Sequence, residues 1–199
     1  MCRLVMLLLL CLAFGCDTSN QESSARYRQN EPYDADRLFA VIETPAGSSV
    51  SSRYDFEKDR INSTSDTIKF LPYPGNYGFI LQNEVIERSL NRNDHLSCLV
   101  LSSSITPLDV VEIYPIGVLS IKFNANEEHI VICIPAQPQL QSLKIKDFVD
   151  LMTEYEPVRY QVQHWFSNFM GANEVHIIGW EDEEFAGHLI DQQESKQVN

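Results

Sequence analysis

Short apolar runs broken by polar clusters fill the chain from Leu38 to Pro135, and helical stripes appear only after Ile145. LFAVIET is a β-rich run ended by Pro45-Ala46-Gly47, and SSRYDFE alternates before the polar stretch DRINSTSD. TIKFLPYPGNYGFILQ places aromatic and β-branched residues around a Pro-Gly-Asn turn, which predicts a strand, a bend and a strand. SCLVLSSS, DVVEIYPIGVLSIKF and EHIVICIP add further runs, so about six short strands precede any helix. From Ile145 to Tyr155 the chain is amphipathic, with Phe148, Leu151 and Met152 on one side. Pro157 suits the first turn of a second helix, where its missing N–H costs little. There Val162, Trp165, Phe166 and Phe169 form an apolar stripe. Gly171 closes that helix, EVHIIGW predicts a last strand, and Asp182 to about Gln193 a final helix. Strands first and helices last predict an α+β fold with helices packed on a small barrel.

The chain before Leu38 follows another pattern. Residues 4–14 (LVMLLLLCLAF) are apolar throughout, follow Arg3 and end at Gly15-Cys16. A basic start, an apolar stretch of this length and small residues before a cut describe a secretory signal, too short for a spanning helix. Leu12-Ala13-Phe14-Gly15 ahead of Cys16 resembles a bacterial lipobox, although Phe14 is bulkier than usual and Ala13 stands where Leu is commoner. Asp17 to about Asp36 is polar and aperiodic, as a tether would be. The expected organisation is a signal peptide at 1–15, a lipid-anchored tether at 16–36 and a folded domain at 37–199. Cys16 carries the lipid in that reading, which places the protein outside the cytoplasm on a membrane. Without acylation the protein is periplasmic or secreted.

Composition narrows the partners. After residue 15 the chain keeps 14 of its 15 basic residues and all 28 acidic ones, a formal charge of −14. Such a surface repels nucleic-acid phosphates and anionic headgroups, which excludes nucleic acid as a general partner. At 44% apolar and 10% aromatic the chain has enough material for a core. Past the tether only Cys98 and Cys133 remain, each inside an apolar run. They are either two buried thiols or, in an oxidising compartment, a disulfide.

TPAGSSVSSRYDF and FLPYPGNYGFI resemble segments of the soluble family I inorganic pyrophosphatases, as do YPIGVLSIKF, IVICIP, HWFSNF and IIGWED in the same order. The resemblance runs from about Phe39 to Gly187. It implies an OB-like five-stranded β-barrel with flanking helices, an often oligomeric assembly, and Mg²⁺-dependent hydrolysis of diphosphate to two phosphates. That reaction needs a polyanion neutralised, a water deprotonated and a leaving phosphate stabilised, so several carboxylates must converge on hard cations while Lys, Arg and Tyr grip phosphate.

Part of the implied site is present. Glu43 matches a metal-binding glutamate of the first strand, Asp55 a second-strand glutamate, and Arg53 a phosphate-binding lysine. Tyr73 and Tyr77 match the two tyrosines of the motif YPxNYG. Asp94 matches the middle aspartate of the loop D-G-D-P-x-D, which in the family contacts the attacking water as base and binds metal. Glu128 stands for a later metal aspartate, and Lys69 partly substitutes for an arginine that Thr67 replaces.

Other positions depart. Arg92 and Ser97 replace the two flanking aspartates of the metal loop, and a dication about 4 Å from a guanidinium is repelled by roughly 8 kcal/mol at an effective dielectric of ~20. Phe123 replaces a metal ligand, Ile130 a phosphate-binding lysine, and Phe169-Met170 a Tyr-Lys pair. His95 is read as a loop histidine rather than a ligand. The EDEE run at Glu181–Glu184 is read as the cap of the last helix. The residues therefore predict a pyrophosphatase-like protein that is inactive or weakly active, with an active exported inorganic diphosphatase or phosphoanhydride hydrolase with a rebuilt site as the alternative.

Overall fold

The computed structural model describes residues 37–63, 71–81, 95–123, 125–169 and 175–197. The apolar runs become strands β1 (Leu38–Thr44), β4 (Asn76–Leu81), β5 (Ser97–Val100), β6 (Val110–Phe123) and β7 (Asn126–Pro135). Between β1 and β4 lies a hairpin of β2 (Ser52–Asp55) and β3 (Arg60–Ser63). Helices α1 (Phe148–Thr153) and α2 (Glu156–Asn168), strand β8 (Val175–Glu181) and helix α3 (Glu183–Gln197) complete the chain.

The sheet order β1-β4-β5-β7-β6, with β1 paired again to β6, closes five strands into a ring. Only β5 and β7 run parallel within it. The OB-like five-stranded barrel with flanking helices is therefore the observed architecture, and β8 is an addition along β6. Side chains alternate between faces of a strand, and one face of all five strands enters a single cluster. Ala40 and Ile42, Ile80, Cys98 and Val100, Val118, and Val131 and Cys133 meet there. That cluster is the barrel interior, and Ala186 and Ile190 of α3 pack against it. The opposite faces of β5, β6 and β7 supply Leu99, Leu119, Ile121, Ile130 and Ile132, which α2 covers with Val162, Trp165 and Phe166. Cys98 and Cys133 lie buried in the interior without a disulfide between them, and burial, with Cys98 alongside, pushes the Cys133 thiol well above its ordinary range.

Strand β6 holds the ring together because it changes partners along its length. Its first residues pair with β1, its last with β8, and β7 runs beside both parts. The register shifts between Pro115 and Gly117. That bulge swaps which face points inward, from Val111 and Ile113 to Val118. Gly117 has φ +154°, and a Cβ there would lie 2.9 Å from both Glu181 O and the Phe148 ring. At Gly78 the constraint is tighter, since a Cβ would sit 1.9 Å from Val41 O.

Some elements differ from their expected form. RINS forms β3 although it is polar, because its partner is the hairpin strand β2 and not the core. Helix α1 spans six residues and starts at Phe148, where Asp147 Oδ1 accepts the Asp150 N–H at 2.8 Å. Ile145 stays outside it as a buried core residue. In α3, Asp182 Oδ1 accepts the Phe185 N–H at 3.0 Å, and Glu183 and Glu184 occupy the first turn. The first half of TIKFLPYPGN, the signal and tether at 1–36, and Gly171 lie outside the described residues.

Gly78→Ala is expected to destabilise the fold by about 3 kcal/mol or more, the upper end of overpacking in a close-packed core. The midpoint of urea unfolding measures this. A midpoint within error of the unmodified chain would mean the β1–β4 approach is looser than described.

Candidate functional site

The N-terminal ends of the parallel pair β5 and β7 open into a cleft of about 350 Å³. Ser97 begins β5, with His95 and Leu96 just before it, and Glu127, Glu128 and His129 come from the start of β7. Arg53 of the β2–β3 hairpin, Tyr77 of β4 and Gln193 of α3 complete the lining. Alternation sets Glu127 and His129 on the inward face of β7 and Glu128 on the outward face.

His129 is held by three neighbours. Its Nδ1 lies 2.8 Å from Ser120 Oγ on the facing position of β6, and its Nε2 lies 3.8 Å from Glu127 Oε1. The Phe185 ring of α3 meets it edge-on at 5.6 Å. A Ser-His-Glu row resembles a nucleophilic arrangement, but Ser120 is 3% exposed and no substrate atom can reach its oxygen. Ser120 orients the imidazole instead. His95 is buried, stacked on Phe56 at 5.3 Å and beside Phe79 at 4.9 Å.

Of the residues named from the sequence, Arg53, Tyr77 and Glu128 line the cleft. Glu43, Asp55 and Tyr73 do not. Glu43 is fully buried and its Oε1 accepts the Tyr54 N–H at 2.8 Å, which docks the hairpin onto the end of β1. Tyr73 is buried against Trp165 at 4.3 Å and Tyr77 at 5.8 Å, and its hydroxyl lies 3.0 Å from Ser51 Oγ. Asp55 caps the hairpin turn: Oδ1 accepts the N–H groups of Glu57 and Lys58 at 3.2 and 3.1 Å. Its Oδ2 takes Lys58 Nζ and Asn62 Nδ2, each at 2.9 Å. The Lys58 ammonium, more than any other neighbour, holds the Asp55 carboxyl below its usual range. Asp94 and Lys69 lie outside the described residues, as does Cys16.

Glu127, His129 and Gln193 were not among the residues expected to form a site. Glu127 and His129 share one strand face at i and i+2, a readable signal once the strand is known. Gln193 arrives from the far end of the chain, and nothing local marks it.

Magnesium fits this part of the cleft poorly. Hard dications take six oxygen ligands from convergent carboxylates, carbonyls and water. Among the described residues no three His, Cys, Asp or Glu side chains converge on one point. Glu127 and Glu128 project from opposite faces of β7, and Asp55 is already saturated.

The family model described as Inorganic pyrophosphatase matches residues 40–197. The chain belongs to the inorganic pyrophosphatase family. It is 30% identical over 171 residues to the inorganic pyrophosphatase of Mesorhizobium japonicum, covering 81% of this chain and 89% of that protein. With the inorganic pyrophosphatase of Saccharolobus solfataricus it shares 33% over 150 residues, 73% of this chain and 83% of the relative. Among solved structures, the inorganic pyrophosphatase from Thermus thermophilus superposes with a TM-score of 0.64 at 27% identity, over 78% of this chain and 88% of the other. That from Neisseria gonorrhoeae superposes with a TM-score of 0.70 at 19% identity, over 86% and 98%, a likeness of fold alone. The family thus supplies the barrel, while the cleft has to be read from this chain's own residues.

A carboxyl with a depressed folded pKa stabilises above its unfolded pKa and loses that contribution as pH falls through the folded value. Asp55→Asn is therefore expected to lower the urea midpoint at pH 7. The difference should start to shrink below about pH 4, the ordinary aspartate value, and vanish at lower pH. A gap that stayed constant at acid pH would rule out the Lys58 pairing as its source.

Proposed function

We propose that this member of the inorganic pyrophosphatase family hydrolyses diphosphate very weakly or not at all, and that it is exported and held at a membrane by a lipid on Cys16. The observation that carries the first part is Asp55, whose two oxygens are taken by four donors of its own hairpin. A carboxylate in that state has no lone pairs directed at a shared metal cluster. Ile130, where the resemblance implies a phosphate-gripping lysine, is buried in the apolar layer beneath α2. Arg92, Ser97 and Phe123 stand where it implies metal ligands. A reaction that stabilises a polyanionic transition state through several cations tolerates such losses badly.

The second part rests on residues 1–16: a basic start, an apolar stretch and a lipobox-like tetrapeptide before Cys16. Among the described residues no helix is long and apolar enough to cross a membrane. The anchor in this reading is the lipid.

Phosphate release from diphosphate by the purified chain, with millimolar Mg²⁺ and then Mn²⁺, tests the first part. If each missing ligand costs ~10–100-fold, two or more lower turnover by about a hundredfold or more below an active family member assayed alongside. An Asp94→Asn sample run in parallel identifies any contaminating host enzyme. Rapid release that disappears in that variant would establish an active hydrolase. Activity gained on combining Arg92→Asp with Ser97→Asp would mark a decayed diphosphatase, whereas no gain would point to a cleft rebuilt for another ligand.

For the anchor, Cys16→Ser is expected to move the protein from the membrane fraction to the soluble fraction of expressing cells. An unchanged membrane fraction would show that something other than a Cys16 lipid holds it.

A further inference from the structure

The cleft holds opposite charges that do not neutralise one another. Arg53 and Glu128 line the same space, yet among the described residues neither has a salt-bridge partner. Among the described residues Glu127, beside them, reaches the His129 ring, at 3.8 Å. Aspartate 55, two residues from Arg53, is engaged by Lys58, so the guanidinium has not lost its freedom to its own hairpin. Tyr77 and Leu96 line the same space and supply aromatic and aliphatic surface.

The described lining favours some classes of ligand over others. A dication needs convergent carboxylates, and no three converge among the described residues. A polyphosphate needs several cations, and the described lining offers one guanidinium against two carboxylates. A plain hydrocarbon would strip water from three charges without replacing it. A volume of about 350 Å³ falls at the small end of ligand pockets, which run from about 300 to 1,000 Å³.

We infer that the cleft binds a small organic zwitterion, an acid group and an ammonium joined by a short aliphatic link. Arg53 takes the acid group in its planar fork, which matches carboxylate and phosphate alike. Glu128 takes the ammonium, and Tyr77 and Leu96 supply surface for the link. Both ends must be present together, because each charged wall is met by only one of them. The inference rests on the cleft having lost diphosphate turnover.

Calorimetric titration of the full chain in EDTA tests it. The probes are glycine, β-alanine, γ-aminobutyrate and phosphoethanolamine, with butyrate, butylamine, phosphate and ethanolamine as singly functional controls. At least one zwitterion is expected to bind about tenfold or more tightly than either of its fragments, and whether an amino acid or phosphoethanolamine does so identifies the acid group. Arg53→Ala and, separately, Glu128→Gln should each weaken that binding about tenfold. Both residues are exposed, so the variants are expected to fold, and matched thermal midpoints check this. Fragments that bind as tightly as the zwitterions, no binding by any probe, or indifference to both substitutions would each overturn the inference. No metal is present in these titrations, so they are read independently of phosphate release. Absent zwitterion binding together with absent turnover would remove this inference alone, while turnover with Mg²⁺ would remove the reading beneath it.

Discussion

Closing five strands into a barrel requires β1 to pair on both edges, with β4 on one side and the start of β6 on the other. The ring closes only because β4 approaches β1 closely enough that Gly78 has no room for a Cβ beside Val41 O. Strand β6 must then leave β1 and continue as the platform for β8, and the bulge between Pro115 and Gly117 makes that exchange. Every group in the cleft takes its position from this closure. The parallel pair β5–β7 exists because β6 reverses into β7 across the ring, and the cleft opens at that pair's N-terminal ends.

Polar residues inside the fold are used as fasteners. Asn76 is fully buried: its Oδ1 accepts the N–H groups of Ala46 and Ile105 at 3.0 and 2.8 Å. Its Nδ2 donates to Ser102 Oγ and Ser103 O, each at 3.0 Å. One amide thus joins the loop after β1 to the loop after β5. Glu43 does the same for the β2–β3 hairpin through the Tyr54 N–H, and Asp55 for the hairpin's own turn. Glu43, whose type and place resemble a catalytic cluster, also satisfies a backbone donor that burial would otherwise leave unpaired. Such motifs identify the family and do not by themselves identify the surviving chemistry.

The strands of the barrel were legible because apolar runs of four or more residues, punctuated by Pro, Gly and Asn, have few other solutions. The hairpin strand β3 was not, since its partner is β2 and its side chains are largely solvated, so no hydrophobic period marks it. Helix α1 is shorter than the amphipathic pattern suggested because Asp147 caps it locally and Ile145 is drawn into the core. Within the cleft, Arg53, Tyr77 and Glu128 were found through motifs, whereas Glu127 and His129 sit in a segment where the motif is lost.

By itself the sequence determined the family, the strand-then-helix order, the stripe by which α2 covers the barrel, and the acidic surface. These follow from local periodicity and composition, which each segment carries without reference to the others. Only the tertiary structure decided which charged groups face one another. The bulge in β6 sets the register that brings Ser120 opposite His129, and the hairpin's own ion pair withdraws Asp55 while leaving Arg53 at the cleft. Distances between side chains from β2, β4, β7 and α3 depend on how the ring closes, and closure is a property of all its strands together.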